Sequence, residues 1–279
     1  MTVVSAESTG AAHPEHGAAL LDAENVSIAF QGVKALDDLS FCVEEGGVTA
    51  VIGPNGAGKS TLFNCITGLY RFSGTITLDG HGIEALPPYQ RIRLGLSRTF
   101  QTPTLIDDAS VIDNVMFGAF HRTRSGMLAS ALRLPLVARE EREARSEAHQ
   151  LLESLGASEL ARIPIVHGLP HRDRRLVEIA RALMARPRLL LLDEPAAGSS
   201  HDEATELLDA ITSHCVDENV TILLVEHNVP LVMRVARKIV VLNFGVCLAQ
   251  GAPEEIRANP AVVEAYLGAD NAHKPEVGL

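Results

Sequence analysis

A glycine-rich segment between an apolar run and a helical pattern limits most strongly what this chain can fold into. The apolar run is residues 48–52, and the helical pattern runs from Lys59 to Thr67. The segment between them has the glycine, lysine and serine spacing of a phosphate-binding loop. Glycines let backbone N–H groups point at an anion, and the helix N-terminus adds a favourable dipole. We predict nucleoside triphosphate contacts from Gly53, Pro54, Asn55, Gly56, Ala57, Gly58, Lys59, Ser60 and Thr61.

Two side chains of this loop have distinct predicted roles. Lys59 is expected to reach the β- and γ-phosphates, and the Ser60 hydroxyl is expected to bind Mg²⁺. A chance glycine-rich turn is the alternative. The strand and helix patterns on either side of the loop favour the phosphate site.

Two carboxylates follow the four leucines of residues 189–192. Four leucines are typical of a fully buried strand, and ligands bind at the C-terminal ends of strands in open α/β sheets. We predict that Asp193 holds Mg²⁺ through water and that Glu194 polarises the attacking water as a general base. The alternative is an acidic cluster at a helix N-terminus before Pro195, which the phosphate loop makes the weaker interpretation.

Two further polar residues are assigned to the same site. His227 follows the apolar run 220–225, so it is expected near the γ-phosphate, where it fixes the water or senses the phosphate. Gln101 lies at the exit from the core, and we assign it contacts with Mg²⁺ and the water. The alternatives are a structural histidine and a solvated loop glutamine.

Apolar runs alternate with helical patterns along most of the chain, which predicts a largely parallel sheet with helices on both faces. Strand signals fade between residues 102 and 175. The predicted fold is α/β, a P-loop NTPase core with an N-terminal antiparallel β subdomain and an inserted α-helical subdomain. The predicted division is a disordered tail at 1–20, a domain at 21–268 (core 21–101 and 176–268, helical subdomain 102–175) and a C-terminal tail at 269–279. Residues 253–267 are predicted as one helix.

Composition and charge exclude several classes of protein. The formal net charge of -11 disfavours nucleic acid as a partner, because phosphate contacts need basic residues. The four cysteines are scattered without metal-binding spacing, which is typical of buried thiols in a reducing compartment. No apolar run approaches the roughly 20 residues that span a bilayer. If the protein works at a membrane, another chain must hold it there.

The order of these elements resembles the ABC ATPase family over residues 21–268. The residues that carry the resemblance are Phe30, the phosphate loop, Gln101, the segment 177–183, the Asp193–Glu194 pair and His227. The resemblance implies ATP hydrolysis coupled to transport, with ATP and Mg²⁺ as cofactors. It also implies that Phe30 stacks on adenine, which suits a flat aromatic ring. Ordinary strand packing is the alternative for Phe30.

Finer features are similar to the subgroup that energises uptake of branched-chain amino acids, namely residues 98–101, 195–198, 251–256 and 264–268. Family members work as paired cassettes under two membrane permease subunits, with a solute-binding protein outside. The resemblance therefore implies a place at the cytoplasmic face of the cell membrane. It also implies that each ATP lies between the phosphate loop of one cassette and the signature segment of the other.

There are two alternatives to a transport ATPase. A soluble ABC ATPase acting on ribosomes or DNA usually has two fused cassettes or a long coiled-coil insertion, and neither pattern occurs here. A nucleotide-binding regulator with weak hydrolysis is disfavoured by Glu194. The transported solute stays open among branched-chain amino acids, other amino acids, amides and urea-like solutes.

The sequence departs from the family where the signature segment is expected. The family's Leu-Ser-Gly-Gly-Gln or a close variant is replaced by Leu169, Pro170, His171, Arg172 and Asp173. Pro170 lacks a hydroxyl, and Arg172 replaces a glycine whose backbone must approach the γ-phosphate. Ser199 also replaces a leucine of the family. We hypothesise that this subunit pairs with a different cassette, and that the pair has one competent and one weakened ATP site.

Overall fold

The computed structural model describes residues 19–122 and 135–271, which contain two β-sheets. In chain order the strands are β1 (Ala19–Phe30), β2 (Val33–Glu44), β3 (Gly47–Ile52), β4 (Ser73–Leu78), β5 (His81–Gly82), β6 (Leu96–Arg98), β7 (Leu189–Asp193), β8 (Thr221–Val225), β9 (Lys238–Asn243) and β10 (Val246–Gly251). One sheet is antiparallel with the order β2-β1-β4-β5. The other has the order β10-β9-β3-β8-β7-β6 and is parallel except for β10. The predicted α/β fold class is confirmed.

The helices follow the strands in the usual crossover arrangement of a parallel sheet. In chain order they are α1 (Lys59–Thr67), α2 (Pro88–Arg93), α3 (Val111–Met116), α4 (Pro135–Ser154), α5 (His171–Met184), α6 (His201–Asp217), α7 (Val229–Val235), α8 (Pro253–Ala258) and α9 (Pro260–Asn271). Two 3₁₀ helices occupy Phe117–Arg122 and Ser158–Arg162. Between β6 and β7 the described residues form helices and turns without a strand.

Three predicted boundaries are wrong. β1 begins at Ala19 and Leu20 is buried, so the predicted tail 1–20 ends too late; its residues 1–18 lie outside the described residues. The predicted helix 253–267 is two helices, because Pro260 forces Asn259 into an extended conformation. α9 then continues to Asn271, inside the predicted tail 269–279, and residues 272–279 lie outside the described residues.

The six-stranded sheet is buried on both faces. In β7 every residue is buried; Leu190 and Leu192 pack in one hydrophobic cluster, and Leu189 and Leu191 in another. A run without alternation suits a parallel strand that is covered on both sides. Parallel pairing brings the C-terminal ends of β3, β7 and β8 to one edge, with Asp193 opposite Val225. Functional side chains that follow these three strands therefore lie at the same edge of the sheet.

No helix among residues 19–122 and 135–271 combines the length and the apolar character that crossing a bilayer requires.

Candidate nucleotide-binding and hydrolysis site

The phosphate loop connects β3 to α1 and is packed against backbone at two points. Gly53 has φ 155°, and a Cβ there would lie 2.1 Å from the Leu242 carbonyl oxygen. Gly58 has φ 105°, and a Cβ there would lie 2.5 Å from the Ala35 carbonyl oxygen. Gly56 has φ 81° with open space beside it. The loop thus needs glycine for close packing at its ends and for a left-handed turn at its centre.

Lys59 is folded over the loop. Its Nζ donates hydrogen bonds to the carbonyl oxygens of Gly53 at 2.7 Å and Pro54 at 3.0 Å, and the residue is buried. Burial lowers the pKa of the Lys59 ammonium, while the carboxylates of Glu194 and Asp193 act in the opposite direction. A buried ammonium near two carboxylates is suited to holding an anion together with a metal ion.

The other loop residues are open to a ligand. Ser60 is exposed in the first turn of α1, Thr61 is half-buried behind it, and Asn55 and Gly56 are exposed. The backbone is braced by hydrogen bonds from Ala57 N–H to the Pro54 carbonyl, 3.1 Å, and from Gly245 N–H to the Ala57 carbonyl, 2.9 Å. The cradle is therefore preformed, with its polar groups accessible.

The structure brings Glu194, His227 and Gln101 together. Glu194 follows β7 in a left-handed conformation (φ 50°), and its N–H donates to the Val225 carbonyl at 2.9 Å. Its Oε1 lies 2.5 Å from His227 Nε2, and its Oε2 accepts from Gln101 Nε2 at 3.1 Å. Since an ionised carboxylate only accepts, we assign the proton to His227 Nε2. Two residues predicted from separate parts of the chain, His227 and Gln101, thus converge on the Glu194 carboxylate.

Asp193 makes a buried ion pair that the sequence did not reveal. Its Oδ2 accepts from Arg98 Nη2 at 2.8 Å, and both side chains are almost fully buried. In the sequence, Arg98 stands out only as the first residue of the segment 98–101. Neither residue type nor spacing in the sequence links positions this far apart.

A second buried ion pair fastens Gln101 to the carboxylate edge. Arg175 on α5 pairs with Glu178 at 3.0 Å and donates to the carbonyl oxygens of Phe100, Gln101 at 2.8 Å and Glu194 at 3.2 Å. Glu178 in turn accepts from the Phe100 N–H at 3.2 Å. The sequence signal for this pair is two charges inside the apolar stretch 175–180.

The predicted adenine-stacking residue lies at the end of β1. Phe30 is 42% exposed, and its ring meets Tyr70 edge-on with the centroids 5.1 Å apart. Tyr70 was not predicted. An exposed ring whose orientation is fixed by a second aromatic residue fits a flat base.

The unusual signature segment lies at the beginning of α5. Pro170 is the N-cap residue, and His171, Arg172 and Asp173 form the first turn. The Arg172 side chain is 42% exposed and lies 3.7 Å from Glu206 of α6. The same helix reaches Glu194 through Arg175, whose Nη2 donates to the Glu194 carbonyl oxygen.

A glycine loop between a buried strand and a helix, with two carboxylates at the end of another parallel strand of the same sheet, one strand away, defines a P-loop nucleoside triphosphatase. A family model described as ABC transporter matches residues 36–197, and a model described as branched-chain amino acid ATP-binding cassette transporter matches residues 247–272. The chain therefore belongs to the ABC transporter family, as one of its ATP-binding, ATP-hydrolysing subunits. The predicted family resemblance is confirmed.

Relatives and solved structures agree with this assignment. The chain is 41% identical over 250 residues to the high-affinity branched-chain amino acid transport ATP-binding protein BraF of Pseudomonas aeruginosa, covering 89% of this chain and 98% of the relative. It is 39% identical over 250 residues to LivG of Escherichia coli, with the same coverage. The ADP conformation of the ATP-binding cassette MJ1267 superposes with a TM-score of 0.76 at 32% identity, covering 90% of this chain and 99% of that one.

Proposed function

We propose that this chain hydrolyses ATP to drive uptake of branched-chain or related amino acids, as one cassette of a pair bound to membrane permease subunits at the cytoplasmic face. An extracytoplasmic solute-binding protein would deliver the solute. The family, the names of the relatives and the match at residues 247–272 support the transport role. The arrangement of Glu194 between His227 and Gln101 supports hydrolysis.

We propose a role for each of the binding residues. Phe30 stacks on adenine, and residues 53–61 enclose the phosphates with Lys59 at the β- and γ-phosphates. Ser60, Asp193 and Gln101 would hold Mg²⁺, since hydroxyl, carboxylate and amide oxygens are the ligands this ion prefers. When bound, Mg²⁺ neutralises charge on the phosphate oxygens.

The hydrolytic step uses the cluster around Glu194. The Glu194 carboxylate takes a proton from a water molecule as the water oxygen attacks the γ-phosphorus. The bond between that phosphorus and the bridging oxygen breaks, which gives ADP and phosphate. The Nε2 proton of His227 and the Gln101 amide hold the carboxylate in one orientation.

Replacement of Glu194 by glutamine tests this proposal. In the complete transporter we expect Glu194→Gln to lower ATP turnover by about 100-fold or more, because an amide cannot accept the proton. Nucleotide affinity should be retained, since the phosphate loop is unchanged. Glu153→Gln, at an exposed position of α4, is the matched control and should turn over ATP like the wild type. Unchanged turnover in Glu194→Gln would mean that Glu194 is not the general base.

We also propose that the partner cassette is a different chain. Pro170 offers neither hydroxyl nor N–H, and Arg172 fills the first turn of α5 with a side chain that pairs with Glu206. These features weaken what this subunit contributes to the partner's ATP site. The purified chain alone is therefore expected to hydrolyse ATP slowly, and brisk turnover by a homodimer would contradict the pairing.

A further inference from the structure

Arg98 is a fixed positive charge between the phosphate-loop helix and the strand that ends in Asp193. Its Nη1 donates to Asn64 Oδ1 at 2.7 Å and to Thr67 Oγ1 at 3.3 Å, both on α1. Its Nη2 donates to Asp193 Oδ2 at 2.8 Å. The side chain is 7% exposed, so the charge is poorly screened by water.

Two aromatic rings fix the guanidinium further. Its central carbon lies 5.4 Å from the Phe63 ring centroid and 5.0 Å from that of Phe100. The guanidinium is therefore held from α1, from β7 and from both rings. Arg98 cannot move its charge away from Asp193 without breaking several contacts.

The ion pair between Arg98 and Asp193 leaves one buried nitrogen unpaired, which lowers what the pair can contribute to the stability of the fold. Arg98 Nε is buried without a hydrogen-bond partner. A buried pair is often replaceable by apolar residues without loss of stability, so an incompletely satisfied one is poorly explained by stability alone. Arg98 instead lies between Ser60's helix and Asp193, the two places from which the proposed Mg²⁺ ligands come.

We propose that Arg98 sets the Mg²⁺ requirement of the nucleotide site, meaning the free Mg²⁺ concentration that gives half of the Mg²⁺-dependent nucleotide binding. Its fixed charge opposes binding of a divalent cation at Asp193, while its hydrogen bonds keep α1 and Asp193 in register. Arg98 is thus a positioning residue that acts through Asp193. This inference rests on the proposed binding of nucleotide and Mg²⁺ at residues 53–61 and 193.

The test is binding of a fluorescent ADP, mant-ADP, to the full-length chain at increasing free Mg²⁺, with an EDTA baseline. Arg98→Gln removes the charge, so the free Mg²⁺ that gives half of the Mg²⁺-dependent binding should fall about threefold or more. Arg98→Lys keeps the charge and should stay within about twofold of the wild type. A purely structural residue would change the melting temperature of both variants without this difference in Mg²⁺ requirement.

Asn64→Asp provides a second variant if Arg98→Gln fails to fold. The aspartate keeps the hydrogen bond to Arg98 and offsets its charge, so the Mg²⁺ requirement should again fall about threefold or more. An unchanged or raised requirement in the folded neutralised variants, or an equal shift in Arg98→Lys, would overturn the inference. Failure of the wild type to bind mant-ADP at any Mg²⁺ concentration would instead contradict the proposed function.

Discussion

Gly56 and Gly58 lie two positions apart in the phosphate loop but have different surroundings. Both have positive φ, 81° and 105°, and a Cβ would meet open space at Gly56 but the Ala35 carbonyl oxygen at 2.5 Å at Gly58. Gly56→Ala should therefore cost only about 1–2 kcal/mol, from backbone strain. Gly58→Ala adds a backbone clash and should cost about 1–3 kcal/mol more.

Urea unfolding of the isolated chain measures both changes, with Gly56→Ala as the matched control for Gly58→Ala. Equal losses of unfolding free energy would contradict the close approach between Gly58 and Ala35. Loss of nucleotide binding is a separate readout, because both glycines belong to the proposed phosphate cradle.

The sequence located some site residues and missed others for a physical reason. Lys59, Glu194 and His227 each follow an apolar strand pattern, and the ends of parallel strands meet at one edge, so local pattern and topology together brought them close. Arg98 binds Asn64 and Asp193, which are 34 and 95 positions away. No periodicity connects such positions, and a buried guanidinium has the same sequence signature as an exposed one.

At the scale of elements, Ser199, which replaces a leucine of the family, directly precedes the N-cap residue of a helix. Ser200 is the N-cap of α6: its Oγ accepts from the Glu203 N–H, and the Glu203 carboxylate accepts from the Ser200 N–H. Ser200→Ala should lower the unfolding free energy by about 1 kcal/mol. Ser199→Ala, next to it but outside the cap, should change it by less than about 0.5 kcal/mol.

The same cap predicts a pH dependence. Hydrogen bonds with the Ser200 backbone and side chain lower the pKa of Glu203. A lowered carboxyl pKa stabilises the fold at neutral pH, and this contribution is lost as the pH falls through the carboxyl range. The difference between wild type and Ser200→Ala should therefore shrink in acid. A constant difference across urea titrations from neutral to acidic pH would contradict it.

A hydrogen bond between a histidine and a serine connects helices α4 and α6. His214 Nδ1 lies 3.0 Å from Ser154 Oγ, and burial lowers the pKa of His214, against the opposing effect of Glu218 and Asp217. The unfolded chain then binds the proton first, so stability is full above about pH 6.5 and falls as the pH drops below it.

Replacement of His214 tests this dependence. His214→Gln should lose less stability than the wild type between neutral and mildly acidic pH, as measured by urea midpoints. His149→Gln, at an exposed position of α4, should keep the wild-type pH profile. Identical profiles for wild type and His214→Gln would mean that other groups cause the acid loss.

Local sequence patterns predicted the buried strands but missed one helix boundary. The leucine run of β7 and the apolar run of β8 were predicted because both are buried on both faces. The break at Asn259 was missed because the pattern of residues 253–267 is helical on either side, and one proline decides the boundary.

At the scale of the whole molecule, the six-stranded sheet divides two hydrophobic clusters. Leu191 is fully buried against the cluster that contains Phe63 and Val225. Leu191→Ala should lower the unfolding free energy by about 2–5 kcal/mol, because a cavity forms between layers that cannot collapse. Val216→Ala on α6, where the side chain is 65% exposed, should change it by less than about 0.5 kcal/mol. Similar losses for both would mean that β7 is covered on one face only.

The phosphate loop is supported by residues from distant parts of the chain. Ala35 precedes it, whereas Leu242 and Gly245 belong to the hairpin of β9 and β10. A ribosome synthesises the loop early but the hairpin only after most of the chain. Since the loop lacks its supporting backbone until then, a nascent chain arrested before the hairpin should not bind nucleotide, although every residue of the loop motif has been made.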